Sequence, residues 1–215
     1  MIDRGEIGDV YFIESEYAHD YSKKTDATWR FDPKSPRHPM IGGGCHAVDL
    51  MRWLCGDPYE VFAYGNHKIL TTWPTDDCTV AIMKFPNDVV GKVFTSIGCK
   101  RRYTMRTVIY GSKGTIIVDN GSESLSLFKA ENEGSEYYTD EIEHQTIECK
   151  IPVLINNHNI GDEVKDFVDC IINDVYPEVN GVEGGKTVSV CCAIVESCES
   201  GVAVKPDYSI EEYMK

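Results

Sequence analysis

The chain has 215 residues, is 42% hydrophobic, and carries 35 acidic against 21 basic side chains for a formal net charge of −14. That length supports one sizeable core, and so acidic a surface repels nucleic-acid phosphates and anionic membranes. The opening MIDRGEIGDV lacks the apolar stretch of a secretory leader and no run is long enough to cross a bilayer, so a cytoplasmic protein with neither nucleic acid nor membrane as partner is expected.

Val10 to Tyr17 is rich in aromatic and β-branched residues and reads as a strand. A polar, proline-bearing loop follows, in which Trp29 and Arg30 stand side by side. The pair either lines a pocket or pins the loop to the body. MIGGGCHAVDLMRWLCGD, residues 40–57, then places three glycines directly before His46. They form either a tight loop that lets a ligand approach His46 or an ordinary turn. Ala47, Leu50, Met51, Leu54 and Cys55 recur at helical spacing, and Gly56 stops the pattern.

A strand is predicted at Glu60 to Tyr64. Two β-rich runs then meet at Pro86-Asn87-Asp88, and two more meet at the turn from Gly111 to Gly114. SESLSLFKA and EYYTDEIEHQTIEC are candidates for further strands. Such meanders imply largely antiparallel pairing. Two helical patterns close the chain. One carries the stripe Val164, Phe167, Val168, Ile171 and Val175; the other carries Val188, Cys191, Cys192 and Val195 and stops at Gly201. The expected class is α+β: an open, largely antiparallel β-sheet with helices packed on one face, spanning residues 1–215 as a single domain.

Nine cysteines without CxxC pairs, odd in number, argue against a zinc ribbon or a disulfide scaffold. Buried free thiols are expected instead, and no metal site. His46 and Asp49, three apart on a helix, lie on roughly the same side. They are either an acid–base residue with its orienting carboxylate or a charge pair on a solvated face. His158 precedes the helix that starts near Asp162 and either faces a ligand or closes the loop. Asp76 and Asp77 are expected to face solvent, and Arg101 with Arg102 either attract an anion or, as the safer local reading, form a solvated edge. No GxGxxG follows a strand, and GSKG at 111–114 sits in a hairpin, so no phosphate loop is visible.

GGGCHAVDLMRWLCGDP resembles the C-terminal domain of the Gfo/Idh/MocA oxidoreductases, the glucose–fructose oxidoreductase and inositol dehydrogenase family. GEIGDV, TWR, YGSKGTI and the long segment from His158 to Val190 resemble the same family in the same order. The resemblance implies the substrate-side domain of an NAD- or NADP-dependent enzyme acting on a sugar, cyclitol or related polyol. It implies a Rossmann domain as partner, absent from these residues, so the chain alone is expected to be inactive and to bind neither cofactor tightly. By the same resemblance His46 is the catalytic histidine, Asp49 a supporting residue, and Trp29, Arg30 and His158 substrate-binding residues. Gly42 stands where many members carry an aspartate. The resemblance further implies a homo-oligomer formed through the sheet, for which the apolar alternation from Val80 to Phe94 would supply a face. The alternative is a non-enzymatic carbohydrate-binding or assembly domain.

Overall fold

Alternating apolar and polar residues fold eight segments into one sheet: β1 (Val10–Ala18), β2 (Glu60–Asn66), β3 (Cys78–Lys84), β4 (Val90–Ser96), β5 (Thr104–Gly111), β6 (Gly114–Asp119), β7 (Ser124–Ala130) and β8 (Thr146–Pro152). The structure is a computed structural model that describes residues 1–23, 28–32, 34, 37–130, 146–154 and 160–214. The strand order is β2-β3-β4-β1-β5-β6-β7-β8. Every neighbouring pair is antiparallel except β1 with β4, where the chain returns to β1 through a helix and a hairpin and so runs parallel to it. The β3–β4 hairpin turns through Asn87 and Asp88, both with φ near +60° (60° and 59°), a conformation these two residue types tolerate well.

Ile13, Ser15 and Tyr17 of β1 point to one face and are buried, in register with Gly91, Val93 and Thr95 of β4. Two helices cover that face, α1 (Cys45–Cys55) and α3 (Gly181–Ser200), and bury Val48, Met51, Val61, Met83, Val93 and Ile194 completely. Burying such a side chain contributes about 1.5–3 kcal/mol. Asn180 caps α3 by accepting from the N–H groups of Val182 (2.9 Å) and Glu183 (3.3 Å), and Gly201 ends it in the left-handed region. Among the described residues no helix is long and apolar enough to cross a membrane.

Four expectations need correction. The buried face of α3 is Val190, Cys191 and Ile194 with Thr187 and Ser197, while Val188 and Cys192 are exposed. The two hydroxyls are tolerated inside because they are bonded: Ser197 accepts from the Ala63 N–H (3.0 Å) and donates to the Val202 carbonyl (2.6 Å). The third helix, α2 (Ile160–Asn173), buries nothing among the described residues; Val164, Phe167, Val168 and Ile171 stand 43–65% exposed along it. Asp77 is buried, not solvated, because its carboxylate accepts from the N–H groups of Ile69 and Leu70, each at 2.6 Å. The cysteines are free, but Cys149 and Cys192 are exposed and only Cys191 is fully buried. Burial pushes the Cys55 and Cys198 thiols up to about 11.

Candidate active site

The three glycines form a single π-helical turn, Met40–Gly44, that runs directly into α1. Its cause lies in the sheet below. A Cβ on Gly43 would overlap the ring of Tyr17, and one on Gly44 would overlap the Thr95 hydroxyl and lie 2.8 Å from the Met40 sulfur. The turn therefore lies flat on β1 and β4 only because both side chains are missing. Gly42 is different: its nearest neighbour would be Arg37 Nε at 3.6 Å, an ordinary contact. The glycines thus serve packing against the sheet, a role between the two considered from sequence. His38 holds the entry to the turn, its Nδ1 accepting from the Met40 N–H at 3.1 Å. Burial depresses its pKa, partly opposed by the Asp76 carboxylate, and keeps the ring neutral and able to accept.

The turn delivers His46 to the first turn of α1 with its side chain exposed and, among the described residues, making no hydrogen bond. The His46 ring stands 6.4 Å from the Tyr17 ring, centroid to centroid. Tyr17 belongs to an aromatic floor with His19, Tyr21 and Tyr103. Tyr17 meets Tyr103 edge-on at 5.5 Å, His19 lies 5.0 Å from Tyr103 and 4.8 Å from Tyr21, and the hydroxyls of Tyr17 and Tyr21 are 2.9 Å apart. Burial, then the Tyr21 hydroxyl, pushes the Tyr17 phenol far above its ordinary value, so it stays a neutral hydroxyl. Tyr17, His19 and Tyr21 alternate in sequence, so a shared face was readable from period 2; Tyr103 carried no such signal.

Among the described residues Asp49 makes no hydrogen bond with His46. Its carboxylate accepts from the Thr187 hydroxyl of α3 at 2.5 Å and lies 3.8 Å from Arg52 Nη1. Arg52, whose side chain is 4% exposed, also donates to Asp57 (2.8 Å from Nε), to the Glu183 carbonyl (3.0 Å) and to Thr187 (2.7 Å). This network ties α1 to the start of α3. It went unnoticed in the sequence because its partners come from distant segments. A cleft of about 610 Å³ runs along it, with His46 at one end and Asp49, Trp53, Asn180 and Glu183 on its walls.

Trp29 is 52% exposed and lies beside two guanidiniums, that of Arg30 at 4.9 Å and that of Arg37 at 5.5 Å from its ring centre. Arg30 also lies 5.6 Å from the Tyr21 ring, which joins the Trp29–Arg30 pair to the aromatic floor. His158 lies outside the described residues. Arg101 is exposed as expected and pairs with Glu16 at 2.8 Å; Arg102 is exposed too. The turn from Gly111 to Gly114 joins β5 to β6, so it is a hairpin and not a dinucleotide cradle. No cluster of metal-binding side chains occurs among the described residues.

A family model described as the GFO/IDH/MocA C-terminal domain matches residues 1–117. A curated relative, myo-inositol 2-dehydrogenase of Thermotoga maritima, is 25% identical over 166 residues, covering 74% of this chain and 46% of the relative. The chain thus spans about half the length of that relative. Among solved structures, levoglucosan dehydrogenase in complex with NADH and L-sorbose superposes with a TM-score of 0.80 at 20% identity, over 96% of this chain and 61% of that one. The WlbA dehydrogenase of Bordetella pertussis, in complex with NADH and UDP-GlcNAcA, gives a TM-score of 0.74 at 19% identity, over 95% and 57%. At these identities the solved structures establish the fold.

Proposed function

The chain belongs to the GFO/IDH/MocA family, and from that premise we propose that it is the substrate-side domain of a nicotinamide-dependent dehydrogenase acting on a sugar, cyclitol or related polyol. The observation that carries the reading is His46, exposed above an aromatic floor and beside a cleft of about 610 Å³. The partly exposed rings of His19 and Tyr103 at the edge of that floor suit the C–H faces of a sugar ring, and an imidazole can accept the proton of a hydroxyl as its carbon is oxidised. Trp29 and Arg30 border the same floor through Tyr21 and serve as substrate contacts. His158 is retained as a third contact on the resemblance alone. Asp49 supports the site by locking α1 to α3 through Thr187.

The residues described here do not fit a dinucleotide, since their glycine-rich turn is a hairpin. Hydride acceptance is the chemistry that NAD or NADP supplies when bound, and its binding belongs to a separate nucleotide-binding half. The exposed stripe of α2 offers that half an apolar face. The open sheet face, where Val80, Ile82 and Val90 are 38–52% exposed, is the proposed contact between copies of the chain; light scattering that finds only monomer across a concentration series would count against it. Residues 1–215 act together as one substrate-binding and oligomerisation domain.

The second reading, a carbohydrate-binding or assembly domain without catalysis, draws on Gly42, which leaves the turn before His46 without a carboxylate. Calorimetry with NAD and NADP separates the two. The dehydrogenase reading predicts binding by the longest in-frame product of the gene and none by the 215-residue chain. Binding by neither supports the second reading, and tight binding by the short chain contradicts the division of labour.

A further inference from the structure

Several of the arginines are already engaged. Arg4, Arg52, Arg101 and Arg106 each hold a carboxylate. Arg102 holds none among the described residues and lies against Gly121; Arg30 and Arg37 hold none either, in a chain with a net charge of −14. Both lie instead at Trp29, and a guanidinium resting on an indole presents its N–H edge outward, in the planar fork that matches carboxylate or phosphate oxygens. Their position is specific. Arg30 touches the aromatic floor at Tyr21, and Arg37 lies against Gly42 in the turn that carries His46.

We propose that Trp29, Arg30 and Arg37 form an anion subsite beside His46, so that the substrate is a sugar or polyol bearing a carboxylate or phosphate group. This rests on the dehydrogenase reading above and narrows its substrate class. The indole holds the guanidiniums in place before the ligand arrives, which reduces the ordering cost of binding. The two charges would also draw an anion toward a site on a protein whose overall field repels it.

The test is ligand binding to the 215-residue chain, followed by saturation-transfer NMR and tryptophan fluorescence, with D-glucuronate, D-glucose 6-phosphate, D-glucose and inorganic phosphate as probes. At least one of the two acidic sugars should bind about tenfold or more tighter than glucose, and which of them does so identifies carboxylate or phosphate. Arg30→Gln and Arg37→Gln should each remove about tenfold of that affinity, weaken the acidic sugar by a larger factor than glucose, and keep the wild-type melting temperature; Arg37→Lys should restore part of it. Glucose binding as tightly as both acidic sugars overturns the proposal while sparing the sugar-dehydrogenase reading. Unchanged affinity in both glutamine variants overturns it equally, as does inorganic phosphate binding as tightly as glucose 6-phosphate. Binding of no sugar at all overturns this proposal and the sugar-binding role together.

Discussion

Replacing Gly43 by alanine, with Gly42→Ala as its partner experiment, tests how the turn before His46 is built. Neither glycine has a positive φ. At Gly42 a Cβ meets nothing closer than 3.6 Å, so alanine adds only the usual gain from a less flexible unfolded chain, about 0.5–1 kcal/mol. At Gly43 the same methyl overlaps the Tyr17 ring, which is 6% exposed and fixed by Tyr21 and Tyr103. Overpacking of that kind costs about 1–3 kcal/mol. The two variants should therefore differ by roughly 2–3 kcal/mol, and a domain of this size shifts its melting temperature by about 2–4 °C per kcal/mol. Thermal and urea unfolding should place Gly42→Ala slightly above wild type and Gly43→Ala well below it. Adding Tyr17→Leu should cost less in the Gly43→Ala background than in wild type, since the leucine relieves the overlap. Equal stabilities for the two alanine variants, or strict additivity with Tyr17→Leu, would refute the close approach of turn and ring.

Arg52→Met should lower stability by about 2–3 kcal/mol, because it leaves the Thr187 hydroxyl and the Glu183 carbonyl short of a donor; the loss stays below that of a fully buried pair since Asp57 and Glu183 remain in contact with water, and urea unfolding measures it. His38 has a folded pKa below its ordinary value, so its contribution is fully present above the unfolded pKa of about 6.5 and is lost as pH falls from there through the folded value. Unfolding free energy should therefore decline with acidification in that window, and His38→Gln should flatten the decline. Gly42→Asp should fold, since the position has room, and should place a carboxylate beside Arg37; the anion subsite then predicts weaker binding of the acidic sugar, read in the same NMR titration.

Much of the sheet was legible because β1, β3 and β4 alternate between a face that must be covered and one that is not. The end of α1 at Gly56 was equally plain. What escaped was set by contacts between distant segments. The face of α3 could not be read from hydrophobicity because Thr187 and Ser197 are buried through hydrogen bonds while Val188 is left out. Asp77 is buried for the same reason, by two backbone N–H groups that no local pattern announces. The stripe on α2 was recognised, but nothing in its periodicity said that none of the described residues would cover it. In the candidate site, the glycine run drew attention to the turn before His46, yet the reason for the glycines is a tyrosine ring supplied by β1. Arg37 was passed over because no local spacing links it to Arg30, and among the described residues it is Trp29 that joins them.

The central claim concerns His46, and the most direct measurement is NAD(P)-dependent oxidation of a sugar or polyol by the longest in-frame product of the gene, wild type against His46→Asn. Loss of a positioned acid–base group typically costs about 10²–10⁴ in rate. The account predicts a fall in kcat on that scale, with the affinity for the dinucleotide unchanged. Equal turnover by the two proteins would contradict it and remove His46 from the chemistry.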